Sequence, residues 1–176
     1  MGIPATIGGA LAMNAGTADG WIGDFVSAVY YLHPDGTLGE YKPSSATFTY
    51  RNFNAPAGAV LIGCRLRLHR KPLAEIQKEM KARLKVKKST QPLALASAGC
   101  VWKNPPGDVA ARMIEKCGLK GKRVNGAEIS SKHANFIVNR GGGTAADILA
   151  LMDLTRERVQ GHFSVALEHE IRTIGE

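Results

Sequence analysis

Residues 97–107 read SAGCVWKNPPG and gather a thiol, a cation and an amide within five positions: Cys100, Lys103 and Asn104. Ala98-Gly99 is turn-prone ahead of the thiol, and Pro105-Pro106-Gly107 makes a rigid exit behind the amide. Val101-Trp102, between them, is a pair of the buried type. A segment stiffened in this way suits gripping a small anionic substrate and protonating it. The alternative is a loop whose cysteine packs as a small hydrophobe, the commoner fate of a lone thiol.

A second stretch with chemical potential is GIPATIGGALAMNAG (2–16), with Gly2, Gly8, Gly9 and Gly16 among small alanines. Glycines let backbone N–H groups approach a phosphate or a flat ring closely. The stretch is not a GxGxxG fingerprint, and a tightly packed turn between layers accounts for its composition equally well. Metal chemistry is not expected. The five histidines, His33, His69, His133, His162 and His169, fall in no HExxH or His/Cys ligand spacing. The three cysteines, Cys64, Cys100 and Cys117, form no CxxC pair, and their odd number points to free thiols in a reducing compartment.

Five segments together carry a family resemblance. SAGCVWKNPPG resembles the Ser/Ala-Gly-Ser-X-Phe-Lys-Asn-Pro motif of the UDP-N-acetylenolpyruvoylglucosamine reductases. GIPATIGGALAMNAG (2–16), FTYRNF (48–53), GLKGKRVNGAEISSKHANFIVN (118–139) and LEHEIRTIGE (167–176) resemble further segments of that family in the same order. The resemblance covers essentially the whole chain. Cys100 stands where the family usually has serine. The family also has a flavin-binding lobe ahead of the glycine-rich motif, so these 176 residues are expected to hold the C-terminal portion of such an enzyme.

The resemblance implies a flavoenzyme of the cytoplasm that uses FAD and NADPH. Its reaction reduces UDP-N-acetylglucosamine enolpyruvate to UDP-N-acetylmuramate, a peptidoglycan precursor. It implies catalytic roles for Arg51, Cys100 and Glu170: carboxylate binding, proton donation, and orientation or assistance of proton delivery. It implies substrate contacts from Tyr50, Lys103 and Asn104, and flavin contacts from Gly2, Ile3, Pro4, Gly8, Gly9, Ala10, Asn14, Ala15 and Gly16. Lys132, His133 and Asn135 are further candidate contacts to the nucleotide-sugar. On physical grounds a thiol is a stronger acid than a hydroxyl, so Cys100 suits the donor's role. Strand alternation would point Tyr50 away from Arg51. The alternative reading from another class is a non-catalytic nucleotide-sugar-binding fragment.

The elements that must position these residues are legible in outline. FVSAVYYL (25–32) and TLGEYK (37–42) read as strands joined by a His33-Pro34-Asp35-Gly36 turn. AVLIGCRLRLH (59–69) alternates, with Val60, Ile62, Cys64, Leu66 and Leu68 on one face. Residues 73–86 form a basic helix, with Leu73, Ile76, Met80 and Leu84 on one side. Residues 108–121 predict a helix capped by Asp108 and stopped by Gly118. ANFIV (134–138) predicts a buried strand, and Gly141-Gly142-Gly143 a flexible connector. Thr144 and Asp147 predict a capping box opening a helix to about Gln160, with Leu149, Met152 and Val159 facing the core. VALEHEIRTI (165–174) reads as a closing strand. The expected class is α+β: residues 1–86 the second lobe of a two-lobed FAD-binding domain, and residues 87–176 a small α+β substrate-binding domain.

Composition sets bounds on function. With 44% hydrophobic and 22% charged residues, the chain has the make-up of an ordinary globular protein able to bury a core. No apolar run is long enough to span a membrane. The net charge of +8 resides in one segment: ten basic residues from Arg65 to Lys88 face only Glu75 and Glu79. No aromatic residue is interleaved there as a nucleic-acid stacking platform would need, so a solvated helix face is expected, with neither nucleic acid nor membrane as partner.

Overall fold

The computed structural model describes residues 5–17, 19–42 and 47–175. Its fold is α+β. Helix α1 (Ile7–Ala12) is followed by a small hairpin, β1 (Gly16–Thr17) and β2 (Gly20–Trp21), and a 3-10 turn over Ile22–Phe25. Strands β3 (Val26–Leu32) and β4 (Leu38–Tyr41), a second hairpin of β5 (Phe48–Thr49) and β6 (Asn52–Phe53), and β7 (Val60–Leu66) complete the first part. The long helix α2 (Leu73–Thr90) leads to β8 (Ala96–Cys100), α3 (Ala110–Lys116), β9 (Arg123–Val124), β10 (Ala127–Ile129), β11 (Phe136–Asn139) and α4 (Ala145–Phe163). The chain divides within α2 into two compact units, Met1–Glu79 and Met80–Glu176.

In the first unit, Thr6 starts α1 by accepting the Gly9 N–H on its hydroxyl at 3.1 Å. Two glycines keep this helix to six residues, and its Leu11 is fully buried. The sheet runs β4-β3-β7, antiparallel throughout. The expected turn between β3 and β4 forms: Gly36 takes a φ of +83°, and Asp35 accepts from the Thr37 N–H at 2.9 Å. The alternation of β7 is present, but Val60, Ile62 and Leu66 remain exposed. Alternation marks a face fit for burial without saying what buries it. Helix α2 likewise buries none of its residues, and Leu73, Ile76 and Met80 stay exposed beside its lysines.

The second unit carries the larger core. Its sheet runs β8-β11-β10-β9, antiparallel, with α3 and α4 supplying Met113, Ile114, Leu151, Met152 and Val159 to a cluster that includes Val101 and Trp102. Helix α4 opens with the expected capping box: Thr144 and Asp147 exchange hydrogen bonds at 3.2 and 2.8 Å. Leu149 does not face the core but is 39% exposed. The buried face is centred on Met152, Thr155 and Val159, and Leu149 lies off it at about 100° per residue. Helix α3 is shorter than 108–121 and has Val109 at its N-cap position. Asp108 instead pairs with Arg112, whose hydrogen bond holds the Asp108 carboxyl below the usual carboxylate range. Gly118 stops α3 as expected, at a φ of +69°.

Residues Gly141-Gly142-Gly143 are not a loose connector. Asn139 accepts from the N–H groups of Gly141 and Gly143 at 2.9 and 3.1 Å and donates to the Gly143 carbonyl at 2.8 Å. A Cβ at Gly126 would fall well inside contact distance of the Gly141 and Gly143 backbone. Gly141 and Gly142 take positive φ, and Gly143 packs closely on the Gly126–Ala127 backbone; these, not flexibility, are the reasons for glycine there. The segment 165–174 forms no strand either. Its one ladder contact is an antiparallel bridge between Trp102 and His169.

Glu128 on β10 is the most heavily invested charge of this unit. Its side chain is 3% exposed and accepts from Arg123 at 2.5 Å and from Arg140 at 2.6 and 3.0 Å. The Arg140 hydrogen bonds, aided by Arg123 and opposed by burial, hold its pKa below the ordinary glutamate value. A folded pKa below the unfolded one adds stability that is fully present above the unfolded value of about 4.3 and is lost as pH falls through the folded value. Glu128→Gln is therefore expected to cost about 1–3 kcal/mol at neutral pH, because both guanidinium groups remain half in water. The variant should also lose part of the dependence of stability on pH below about 4.3. Urea denaturation across a pH series checks both.

Candidate active site

The strand that carries Cys100 is shaped by a bulge. Phe136 pairs with Cys100 and Val138 with Ser97, so two residues of β8 stand opposite Ile137 alone. Gly99 takes up the extra length at a φ of +90°, in open space where only the backbone angle disfavours a side chain. Cys100 thus ends a strand that a left-handed residue has re-aimed; it does not sit in a free turn. Its residue is partly buried.

Beyond Cys100 the chain is gripped by a side chain acting as a peptide group. Asn135, 3% exposed, accepts from the Trp102 N–H at 2.9 Å and donates to the Trp102 carbonyl at 2.7 Å. Its own carbonyl accepts from the Val101 N–H at 2.9 Å. Asn135 is therefore engaged with the backbone of the Cys100 segment, and the expectation of a nucleotide-sugar contact gives way to this role. Trp102 is 1% exposed and anchors the segment in the core.

The other edge of this segment meets the C-terminal stretch. The Lys103 N–H donates to the Glu168 carbonyl and the Glu170 N–H to the Val101 carbonyl, each at 2.8 Å. In this register Lys103 stands opposite Glu168, Trp102 opposite His169, and Val101 opposite Glu170. The Lys103 ammonium pairs with the Glu168 carboxylate. Asn104 accepts the Ala110 N–H at 3.0 Å and so fastens the start of α3. Cys100, Lys103, Asn104 and Glu170 are thus assembled within one unit from two motifs far apart in sequence. His169, immediately before Glu170, was missed by the sequence reading, which gave Glu168 no role beyond sharing a face with Glu170.

His133 lies in the turn before β11, its ring edge-on to Phe136 at 4.8 Å. Burial, with a smaller effect from Lys120, lowers its pKa below the usual histidine value, so its ring is neutral at pH 7. Lys132 donates to the Lys88 carbonyl.

In the first unit FTYRNF folds into a hairpin whose two-residue turn is Tyr50-Arg51. Strand alternation does not apply in a turn, and the expected separation of the two side chains is corrected. The Arg51 guanidinium lies 5.1 Å from the Tyr50 ring centre and 5.4 Å from that of Trp21. Trp21, edge-on to Tyr50 at 5.7 Å, is another residue the sequence reading missed. Of the glycine-rich motif, Gly2, Ile3 and Pro4 lie outside the described residues. Gly8 has open space where a Cβ would stand, and Gly9 meets only the Thr6 hydroxyl at 3.4 Å. Ala10 lies within α1, and the Ala15 carbonyl accepts from the Ile22 N–H at 2.8 Å. Asn14 is 4% exposed, donating to the Thr49 carbonyl at 3.0 Å and accepting from the Gly23 N–H at 3.1 Å. Gly16 is needed for close packing, since a Cβ there would lie 2.6 Å from the Gly20 carbonyl oxygen.

Comparison with known proteins bears on these assignments. Residues 91–174 match the family described as UDP-N-acetylenolpyruvoylglucosamine reductase, C-terminal domain. The reductase of Anaeromyxobacter sp. (strain Fw109-5) is 48% identical over 175 residues, covering 99% of this chain and 55% of that protein. That of Moorella thermoacetica is 45% identical, covering 99% of this chain and 58% of that protein. Over nearly its whole length the chain is similar to members of this reductase family. The crystal structure of the Thermus caldophilus reductase superposes with a TM-score of 0.84 at 42% identity, covering 98% of this chain and 61% of that one. The chain thus spans a little over half the length of these reductases. Among the described residues no group of three or more His, Cys, Asp or Glu side chains is placed to hold a metal ion. No helix among them is long and apolar enough to cross a membrane.

Two substitutions probe the geometry. Asn135→Ala leaves a buried N–H and a buried carbonyl of Trp102 unpaired, and should destabilise the protein by about 2–4 kcal/mol. Gly99→Ala forces a side chain into the left-handed region and should cost about 1–2 kcal/mol. Thermal and urea unfolding measure both, and a neutral outcome for Asn135→Ala would remove its clamp role.

Proposed function

We propose that this chain carries the substrate-handling part of a flavin-dependent reductase acting on UDP-N-acetylglucosamine enolpyruvate, with FAD and NADPH as cofactors. The unit Met80–Glu176 supplies Cys100, Lys103, Asn104 and Glu170, and the unit Met1–Glu79 supplies Tyr50, Arg51 and the flavin contacts. The observation that carries this reading is the pairing of Val101–Lys103 with Glu168–Glu170, which unites the donor motif with the C-terminal glutamate.

The described residues fit a flavin at one surface, where Gly8 and Gly9 leave the backbone of α1 open. Gly8, Gly9 and Ala10 would line the bound flavin, which supplies the hydride for the terminal alkene carbon. The chain's own residues do the rest. Arg51 holds the substrate carboxylate with two parallel hydrogen bonds and takes up the negative charge that develops there. Aromatic rings on its flanks fix the guanidinium plane. The Cys100 Sγ–H donates a proton to the carbon next to the carboxylate, and the resulting thiolate regains a proton from solvent. Hydride and proton together saturate the double bond. Glu170 orients the donor or assists its proton delivery. Lys103 exchanges its exposed partner Glu168 for the anionic nucleotide-sugar; surface pairs of this kind contribute little and are readily replaced. Tyr50 and Asn104 line the substrate's path.

Calorimetry with UDP-N-acetylglucosamine enolpyruvate tests the binding half of this reading on the chain itself. Binding is expected, and Lys103→Ala should weaken it about tenfold, the loss of one charge-assisted contact. No binding by the folded chain would overturn the assignment. For the chemical half, the chain can be joined to the portion of the Moorella thermoacetica reductase that it does not match. In that fusion, Cys100→Ala should leave flavin reduction by NADPH intact. It should slow flavin reoxidation by the enolpyruvyl substrate by roughly 100- to 10,000-fold. Cys100→Ser should retain substantial activity. Stopped-flow absorbance separates the two half-reactions, and an Ala variant as fast as the parent would assign the proton elsewhere.

A further inference from the structure

The stretch after α4 that carries Glu168 and Glu170 has almost no regular structure, so its position needs a cause. Two backbone hydrogen bonds join it to Val101 and Lys103. The Lys103–Glu168 ion pair adds little, because the Glu168 side chain is 72% exposed. Leu167 sits in the core, with Val165 and Ile171 packed against it, and anchors the stretch without fixing its pairing. His169 adds a contact of another kind. Its ring lies against Trp102 with centres 4.7 Å apart and planes tilted by 58°. Its Nε2 lies 2.9 Å from Nη2 of Arg156, a residue of α4. The Arg156 guanidinium sits 5.9 Å from the Trp102 ring centre and is itself paired with Asp153, one helical turn earlier, at 3.3 Å. Arginine, histidine and tryptophan thus form one cluster built on a tryptophan that is 1% exposed.

The chemistry of this cluster fixes the state of the imidazole. A guanidinium has donors only and cannot accept a hydrogen bond. The Nε2 atom facing it must therefore be the unprotonated nitrogen, and the ring is neutral with its proton on Nδ1. We infer that His169, acting as a neutral hydrogen-bond acceptor for Arg156, is a positioning residue that, together with the buried Leu167, holds Glu168–Glu170 in register against Val101–Lys103. It touches neither substrate nor cofactor. It sets where Glu170 stands relative to the Cys100 strand by fastening the residue between the two glutamates to α4 and to Trp102. The consequence for catalysis rests on the reading of Glu170 given above. The placement itself does not.

The test uses the 176-residue chain without flavin or substrate, so its outcome is independent of whether Glu170 takes part in a reaction. In ¹⁵N spectra of the unaltered protein at neutral pH, Nε2 of His169 should show the shift of an unprotonated ring nitrogen, and Nδ1 that of a protonated one. The reverse tautomer overturns the inference. Amide hydrogen exchange then reads the register. His169→Phe keeps an aromatic ring near Trp102 but removes the acceptor, and Arg156→Ala removes the donor. Either should speed exchange at the Lys103 and Glu170 N–H groups by about three- to tenfold, the worth of one ordinary hydrogen bond. The Trp102 N–H, held by Asn135, should be unchanged. His169→Gln restores an acceptor and should recover most of the protection. Unchanged protection in both His169→Phe and Arg156→Ala overturns the proposal. So does acceleration that His169→Gln does not rescue.

Discussion

The side-chain amide of Asn135 does the work of a missing strand. It bonds both the N–H and the carbonyl of Trp102, the two groups a neighbouring backbone would otherwise satisfy. Buried backbone polar groups must be paired, and an amide is the side chain that offers a donor and an acceptor in one plane. With one edge of the Val101–Lys103 segment closed in this way, the other is left for the C-terminal stretch. The bulge at Gly99 and the seat of Trp102 in the core both depend on this grip. So does the pairing of Val101–Lys103 with Glu168–Glu170. The same unit uses the device again at Asn139, whose amide folds the glycine loop before α4.

Local rules predicted what local rules control. The capping box of Thr144 and Asp147, the stop at Gly118 and the turn at Asp35-Gly36 each involve residues within a few positions, and each formed. Strands β3, β4 and β11 followed from patterning and flanking turns. The failures have a different origin. Residues 165–174 alternate like a strand, but alternation does not supply a partner, and a single bridge at His169 is all that forms. In FTYRNF the reading assumed one extended piece. The hairpin appears instead because Phe48 and Phe53 stack across it at 4.8 Å, a pairing visible only once the turn is known. Asp108 was a sound cap by type, but Arg112 four residues on competes for its carboxylate. Cys100 and Glu170 were marked as candidates by a family likeness. The pairing of Val101–Lys103 with Glu168–Glu170 was not foreseen, since no spacing rule connects residues that far apart.

Electrostatics separates the two halves of the chain. The basic block from Arg65 to Lys88 is exposed along α2, where charges interact weakly and are screened within about 8 Å at physiological salt. Its effect is a field that favours approach of an anion, as a nucleotide-sugar would be. Several charges beyond α2 are instead bonded in place. Glu128 binds two arginines while 3% exposed, and Arg156 is shared between Asp153, Trp102 and His169. Charge that is bonded and shielded can fix geometry. Charge that is solvated fixes it far less, and the exposed Lys71–Glu79 pair on the basic block contributes little beside the buried carboxylate of Glu128.

Both motifs proposed to act on the substrate are aimed by a residue with positive φ. At Gly99, φ is +90°, and glycine adopts it without strain. At Arg51, φ is +55°, and an L side chain there costs about 1–2 kcal/mol. Something must offset that cost, and the two rings beside the guanidinium are the candidates. Each such contact contributes about 0.5–1 kcal/mol at an exposed site and more where water is excluded. The two contributions are of the same size as the cost, so Trp21 and Tyr50 offset part of it. The rings also leave the edge of the guanidinium, where its N–H donors point, as the natural direction for a carboxylate. A strained turn that presents one cation edge-first is well suited to binding a planar anion, and Trp21, which no motif marks, offsets part of its cost.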